Sequence, residues 1–268
     1  MSNSKSGSPS NANLSQLFSS ARTEGNLSAA AAQTLVVKDI GVKIKAGLGT
    51  PVDNVTASEV LLVSNLIDDS GSMGGSEQAL IDGYNNLVIG SLKDSKESNG
   101  ILVHTRYLSD YILDPYTLIE NAKAMDNSNY VASLGHTPLY DQSLVLLGTV
   151  VLKAQEFINN GVPARTITLL LTDGLNNSSR NSASDVAKIV SDMRASENHI
   201  IAAMGIGGNP NAFRQTFQEM GIEDRWILTP KNTPSEVRKC LQLFSRSAVR
   251  ASQSAKSFSQ TAGGGFAV

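Results

Sequence analysis

An α/β fold with a doubly wound, Rossmann-like and mostly parallel sheet is what this sequence predicts, and three observations predict it. Residues 59–67 (EVLLVSNLI) and 166–172 (TITLLLT) are nearly unbroken apolar runs of strand length, the pattern of strands buried on both faces of a parallel sheet. Stretches with helical spacing lie between and after them, so strands and helices alternate. Each of the two runs leads into a short polar loop opened by aspartate, at the carboxyl edge where such sheets form ligand sites.

The elements follow in order. Residues 1–13 are Ser- and Asn-rich and predict a disordered N-terminus. Residues 14–51 form an extension: Leu14, Leu17, Phe18, Ala21 and later Leu35 suit one or two short helices broken at Gly25, and the alternation of Val37, Ile40, Val42 and Ile44 with lysines predicts a half-exposed strand over 36–49. The main domain spans 52–250. After the first buried run, Ala79, Leu80, Tyr84, Leu87 and Val88 have helical spacing; 101–108 is a second strand, with 111–113 pairing beside it as a short antiparallel edge. Residues 139–159 form a long helix opened by Pro138 and stopped at Asn160-Gly161. Helix, strand, helix and strand follow over 184–198, 199–205, 213–220 and 225–228. Thr233-Pro234-Ser235-Glu236 supplies the cap of a last helix, whose stripe Val237, Cys240, Leu241, Phe244 and Ala248 makes Cys240 a buried small hydrophobe. The Ser/Gly-rich residues 251–268 read as a disordered tail, or as a segment that orders on a neighbour through Phe258 and Phe266.

Composition excludes several function classes. The chain of 268 residues carries 24 acidic and 22 basic side chains, a net charge of -2, without the basic excess that phosphate-backbone binding requires, so no nucleic acid is expected as a partner. One cysteine rules out an internal disulfide framework and any multi-cysteine metal site. The polar N-terminal stretch lacks the pattern of a signal peptide, and no apolar run reaches membrane-spanning length, which together predict a cytoplasmic protein without membrane association.

The chemistry concentrates in three places. Asp68, Ser70 and Ser72 in DDSGSM are two apart, so in an extended loop their side chains can face one point. One carboxylate and two hydroxyls are hard oxygen donors suited to Mg²⁺ or Mn²⁺, whereas zinc would want histidine or cysteine. Thr137, in GHTPLYD before the long helix, and Asp173, in TDG after the second buried run, add two more oxygen donors.

The ordered set of Asp68, Ser70, Ser72, Thr137 and Asp173, in DDSGSM, GHTPLYD and TDG, resembles the metal-ion-dependent adhesion site of von Willebrand factor A domains, over about residues 52–250. The resemblance implies that Ser70, Ser72 and Thr137 touch one cation directly, that Asp68 and Asp173 hold it mainly through water, and that an Asp or Glu of a partner protein completes the octahedron. It implies a non-catalytic module of a cytoplasmic, bacterial type, with a ring-forming MoxR-type AAA+ ATPase system among the candidate partners. Met73-Gly74-Gly75-Ser76 lacks the acids that build a second cation site in some integrin relatives, so one ion is expected. His136 stands where the family commonly has glycine and reads as an ordinary exposed histidine; Asp69 reads as a solvated acid, and Asp141 as an acid favoured by the helix N-terminus. Asp68 and Thr137 are read as lying in surface loops, so that replacing either would abolish binding without unfolding the sheet.

Two other classes compete. Asp68-Asp69 after a strand suits an Mg²⁺-dependent phosphoryl-transfer enzyme with an aspartyl nucleophile, but the motif is not Asp-x-Asp, and the nearest lysine, Lys231, follows the wrong strand. A structural role is the other alternative: the extension and the tail flank a weakly charged domain and could be exchanged in a homo-oligomer or filament.

Overall fold

A computed structural model of the chain describes residues 11–36 and 40–266. Its centre is a six-stranded sheet of order β3-β2-β1-β4-β5-β6, formed by β1 (Val60–Ile67), β2 (Ile101–Tyr107), β3 (Ile112–Leu118), β4 (Ala164–Thr172), β5 (His199–Gly205) and β6 (Ile227–Leu228). All neighbours are parallel except β2 and β3. Every residue of β1, β2 and β4 is buried, which is why these segments are so apolar. The antiparallel edge is longer than 111–113; it contains Pro115, which only an edge position tolerates, and its register with β2 is irregular around Thr105. The fold class expected from the sequence is the one observed.

On one face, α4 (Glu77–Asp82) runs through a π-helical stretch, Gly83–Ile89, into a last turn, α5 (Gly90–Lys93). A Cβ on Gly83 would meet Leu241 Cδ1 at 2.4 Å, so this glycine lets the helix approach α9 (Pro234–Ser252). On the other face lies α6 (Leu139–Asn159), with α7 (Ala183–Ala195) beside it and α8 (Pro210–Glu219) beyond, each of the latter two capped by a preceding side chain, Ser182 or Asn209.

The described part of the N-terminal extension is built from three helices, α1 (Asn11–Thr23), α2 (Ala29–Val36) and α3 (Ile40–Gly47). The strand expected over 36–49 is therefore corrected: 40–47 form a helix, and no strand is present among the described residues of this stretch. Ile40 and Ile44 share one helical face, with Ile44 fully buried, while the Val42 that completed the alternation is 73% exposed. Leu17, Leu35 and Ile44 join the same apolar cluster as the sheet, so the extension completes this domain's own core. A Cβ on Gly148 of α6 would lie 2.6 Å from Ile44 Cδ1 and 3.0 Å from Leu35 Cδ2, which shows how closely the extension is seated. Of the N-terminus expected to be disordered, residues 11–13 start α1 and the rest lies outside the described residues.

The C-terminal segment is ordered as well, contrary to the disorder expected. After α9, Ser254 caps α10 (Ala255–Gly264), Phe258 is buried, and Phe266 packs edge-on against Trp226 with ring centroids 4.9 Å apart. Its docking site is the chain's own core rather than a neighbour's. Among the described residues, no helix is long and apolar enough to cross a membrane.

Candidate metal centre

Parallel strands β1 and β4 deliver Asp68 and Asp173 to one end of the sheet, because their register pairs Ile67 with Leu171. Asp68 continues the ladder, its N–H donating to the Leu171 carbonyl at 2.9 Å. Its side chain is fully buried. Oδ1 accepts the Ser70 N–H at 2.8 Å, Oδ2 accepts the Thr172 hydroxyl at 2.5 Å, and the Asp68 carbonyl accepts the Tyr130 hydroxyl at 2.6 Å. The expectation that Asp68 lies in a surface loop is corrected: its carboxylate is part of the core, bracing the turn after β1 against the end of β4. Thr137 is buried too.

From Ser70 the site opens outward. Ser70 Oγ lies 3.1 Å from Ser72 Oγ, and the Ser72 hydroxyl donates to Asp173 Oδ1 at 2.6 Å. The loop leading to Thr137 is attached to the same turn: Gly71 N–H donates to the Leu134 carbonyl, and Ser133 and Leu134 N–H both donate to the Asp69 carbonyl, each at 3.0 Å. Thr137 Oγ1 lies 3.2 Å from where a Cβ on Gly174 would be, and so faces the loop that carries Asp173. Among the described residues, that hydroxyl has no protein hydrogen-bond partner. The structure thus brings all five expected residues to one end of the sheet, Ser70, Ser72 and Asp173 in direct hydrogen-bonded sequence and Thr137 beside them.

The electrostatics fit a cation. Burial, and then the negative charge of Asp68, push the Asp173 carboxyl above its ordinary value. Asp69 is also raised by burial, and its Oδ1 accepts the Ser109 N–H at 3.0 Å, so it is an interior tie to the β2–β3 turn and not a solvated acid. No group of three or more His, Cys, Asp or Glu is spaced for metal binding among the described residues. The donors here are instead hydroxyls interleaved with carboxylates, an all-oxygen set that fits a hard divalent ion and offers nothing to select zinc.

Several residues that position the site escaped the sequence reading. Asn177 Oδ1 accepts the Thr137 N–H at 2.7 Å, and Asn177 N–H returns a bond to the Thr137 carbonyl at 3.2 Å. Ser179 Oγ accepts from both Tyr140 and Asp141 N–H at 3.1 Å, capping α6. Asp141 does more than favour a helix end: its carboxylate accepts Arg180 N–H at 3.0 Å and Asn181 N–H at 2.9 Å, so the loops carrying Thr137 and Asp173 are latched to each other. The available signal was the Asn/Ser-rich run directly after Asp173.

No protein-family profile matches the chain, and no curated protein does. Among solved structures, the pilus adhesin SpaC from Lactobacillus rhamnosus GG is similar with a TM-score of 0.53 at 15% identity, over 72% of this chain and 30% of that one. The SpRpn10 VWA domain has a TM-score of 0.45 at 12% identity, over 67% of this chain and 93% of that one. The manganese-loaded TRAP protein of Plasmodium vivax has a TM-score of 0.43 at 19% identity, over 71% and 75% respectively. The chain spans 30% of SpaC and under half of the mussel byssus protein PTMP1, to which it is also similar. At such identities the likeness is one of fold, and that fold is the VWA-like α/β arrangement of six strands with one antiparallel edge.

Proposed function

We propose that this chain is a von Willebrand A-type protein-binding module whose binding depends on one divalent cation, Mg²⁺ or Mn²⁺. The observation that carries the proposal is the chain of oxygens from Ser70 Oγ through Ser72 Oγ to Asp173 Oδ1, beside the unpartnered Thr137 hydroxyl, at the carboxyl end of β1 and β4. Ser70, Ser72 and Thr137 would hold the ion directly, with Asp68 and Asp173 behind them. When bound, the ion supplies a Lewis-acidic position for a carboxylate oxygen of a partner's Asp or Glu. Asp68 holds the Ser70 backbone in place, and Asn177 and Asp141 hold Thr137 against the Asp173 loop.

Cys240 is buried, its thiol pushed up to about 11 by burial, and is no reactive thiol. A single inert cysteine suits the reducing cytosol, where we place the protein; a MoxR-type AAA+ system remains a partner candidate through the sequence resemblance. Assembly through exchanged termini draws less support, because α1, α2, α3 and α10 all pack on the domain's own core.

Calorimetric titration of Mg²⁺ and Mn²⁺ into the full chain tests the metal. One site per chain is expected, lost in Asp173→Ala and weakened in Ser72→Ala. Equal heats in wild type and both variants would overturn the proposal.

A further inference from the structure

We propose that a second recognition element lies beside the centre: a trough that seats a lysine or arginine of the same partner segment whose carboxylate reaches the metal. This rests on the metal-dependent reading above and adds to it a feature of sequence that the partner must present.

The trough is an open cavity of about 440 Å³ between the turn Gly71–Gly75, the first turn of α4 and the loop around Tyr130. Gly74 and Gly75 line one wall. Neither has a positive φ, and a Cβ built on either meets nothing within 4 Å. No demand of backbone or packing requires glycine at these positions. What the pair does is leave room, since any side chain there would project into open space beside the candidate centre. The opposite wall is tied to that centre, because the Tyr130 hydroxyl donates to the Asp68 carbonyl.

Among the described residues, Glu77 is the one charged residue lining the trough. It is partly buried, and its Oε1 accepts the Ala132 N–H at 2.8 Å. Among the described residues, no lysine, arginine or histidine lies within ion-pair distance of it. An acid in the first turn of a helix is favoured by the helix dipole, and the Ala132 bond fixes the adjoining loop. Those two roles use one oxygen and leave the second, together with the space the glycines keep, without a partner. Val131, 53% exposed on the rim, offers apolar surface. Lysine and arginine lay an aliphatic stem on such surface and carry their charge beyond it. A carboxylate in a cavity with an apolar rim suits that chemistry. Gly75 follows Ser72 by three residues within one 3-10 turn, so an extended peptide, advancing about 3.3 Å per residue, would place the cation within about three residues of its metal-bound acid.

The test is an array of nine-residue peptides with a fixed central aspartate and every other position scanned, probed with the full chain in Mg²⁺ and in chelator. Wild type should prefer Lys or Arg over Ala about fivefold at one position within three residues of the aspartate, a size set by a partly exposed ion pair. Glu77→Lys should invert the preference at that position to Asp or Glu while binding stays Mg²⁺-dependent. Glu77→Gln keeps an oxygen for the Ala132 N–H and should only lose the preference, which separates charge from loop support. Gly75→Val should lose it by filling the trough, with thermal stability unchanged. Mg²⁺-dependent binding with the same residue preference in wild type and Glu77→Lys would overturn the trough and leave the metal centre standing. Absence of any Mg²⁺-dependent peptide binding by wild type would overturn the metal reading, and the trough with it.

Discussion

Asp68 and Asp173 end neighbouring parallel strands and face one candidate centre, yet the molecule holds them in opposite ways. Asp68 is fully buried, both carboxylate oxygens are taken by Ser70 N–H and Thr172 Oγ1, and its backbone belongs to the sheet. Asp173 is half-buried, and among the described residues its one side-chain partner is the exposed hydroxyl of Ser72. The first is a structural brace that also points at the site; the second is set by its neighbours and free to respond to what binds. An alanine at position 68 therefore tests folding and binding together, while one at 173 tests binding alone.

The largest expected effect lies on the buried side. Asp68→Ala leaves the Ser70 N–H without its acceptor and the Thr172 hydroxyl without one of its two, in a buried place, and should cost about 3 kcal/mol in urea denaturation. Asp68→Asn should recover more than half of that. Its oxygen still accepts from Ser70, and its amide can donate to Thr172 Oγ1 while that hydroxyl turns to the Gly174 carbonyl, already 2.9 Å away. If Asn and Ala were equally destabilising, the brace would be electrostatic, and the contrast with Asp173 would have to be redrawn.

The buried side also extends under the sheet, where Ser64 of β1 stands level with His104 of β2. Burial, reinforced by the charge of Arg106, holds His104 down to about 3, while its Nδ1 faces the Asp114 carbonyl at 2.7 Å. The folded state keeps this imidazole neutral where an unfolded chain, with an ordinary value near 6.5, takes up a proton. Stability contributed here is full above pH 6.5 and is lost as pH falls toward 3, by at most about 1.4 kcal/mol per pH unit. Between pH 6.5 and 4.5 the wild type should lose about 2 kcal/mol more than His104→Asn, read from urea midpoints at the two pH values. Parallel pH profiles would show that His104 is not the buried titrating group.

Between the two extremes stands Thr137, buried but placed by a loop. Asn177→Ala removes the side-chain acceptor of the Thr137 N–H, leaving the backbone bond from Asn177 N–H in place; it should cost about 1 kcal/mol and weaken Mg²⁺ affinity about tenfold, where a control such as Asn127→Ala changes neither. Calorimetry on the folded variant separates the two effects.

The same division explains what was legible in the sequence. Strands β1 and β4 could be read because a strand buried on both faces must be apolar, and Asp68, Ser70, Ser72 and Asp173 because they follow those strands directly, with Thr137 marked by the Thr-Pro that opens the long helix. The helix α3 reads as a strand because Ile40, Val42 and Ile44 satisfy a period of two as well as the i, i+4 spacing, and only packing against Gly148 decides between them. The C-terminal segment offered two isolated phenylalanines; that they cover Trp226 and the foot of the sheet depends on contacts remote in sequence. Asp69 and Asp141 looked like surface acids because their partners, Ser109 N–H and the Arg180 and Asn181 N–H groups, are about 40 residues away. An acid accepting backbone hydrogen bonds across such a distance has no local signature.

The smallest effect on stability is expected where the effect on function is greatest. Asp173→Ala removes a carboxylate whose protonation burial and Asp68 already favour, and breaks one hydrogen bond from an exposed serine, so metal-free stability should stay within about 0.5 kcal/mol of wild type. On the proposed metal-dependent reading, Mg²⁺ would bind only the folded chain of the wild type, and by mass action a tenfold excess over its dissociation constant would add about 1.4 kcal/mol, a melting-temperature rise of a few degrees. That rise should vanish in Asp173→Ala and shrink in Ser72→Ala, measured by calorimetric or fluorescence melting with Mg²⁺ and with chelator. A variant that melts like wild type without metal and ignores Mg²⁺ would place Asp173 wholly on the side of binding. A full Mg²⁺ response retained in Asp173→Ala would move the ion to the Asp68 turn and remove the exposed half of the centre.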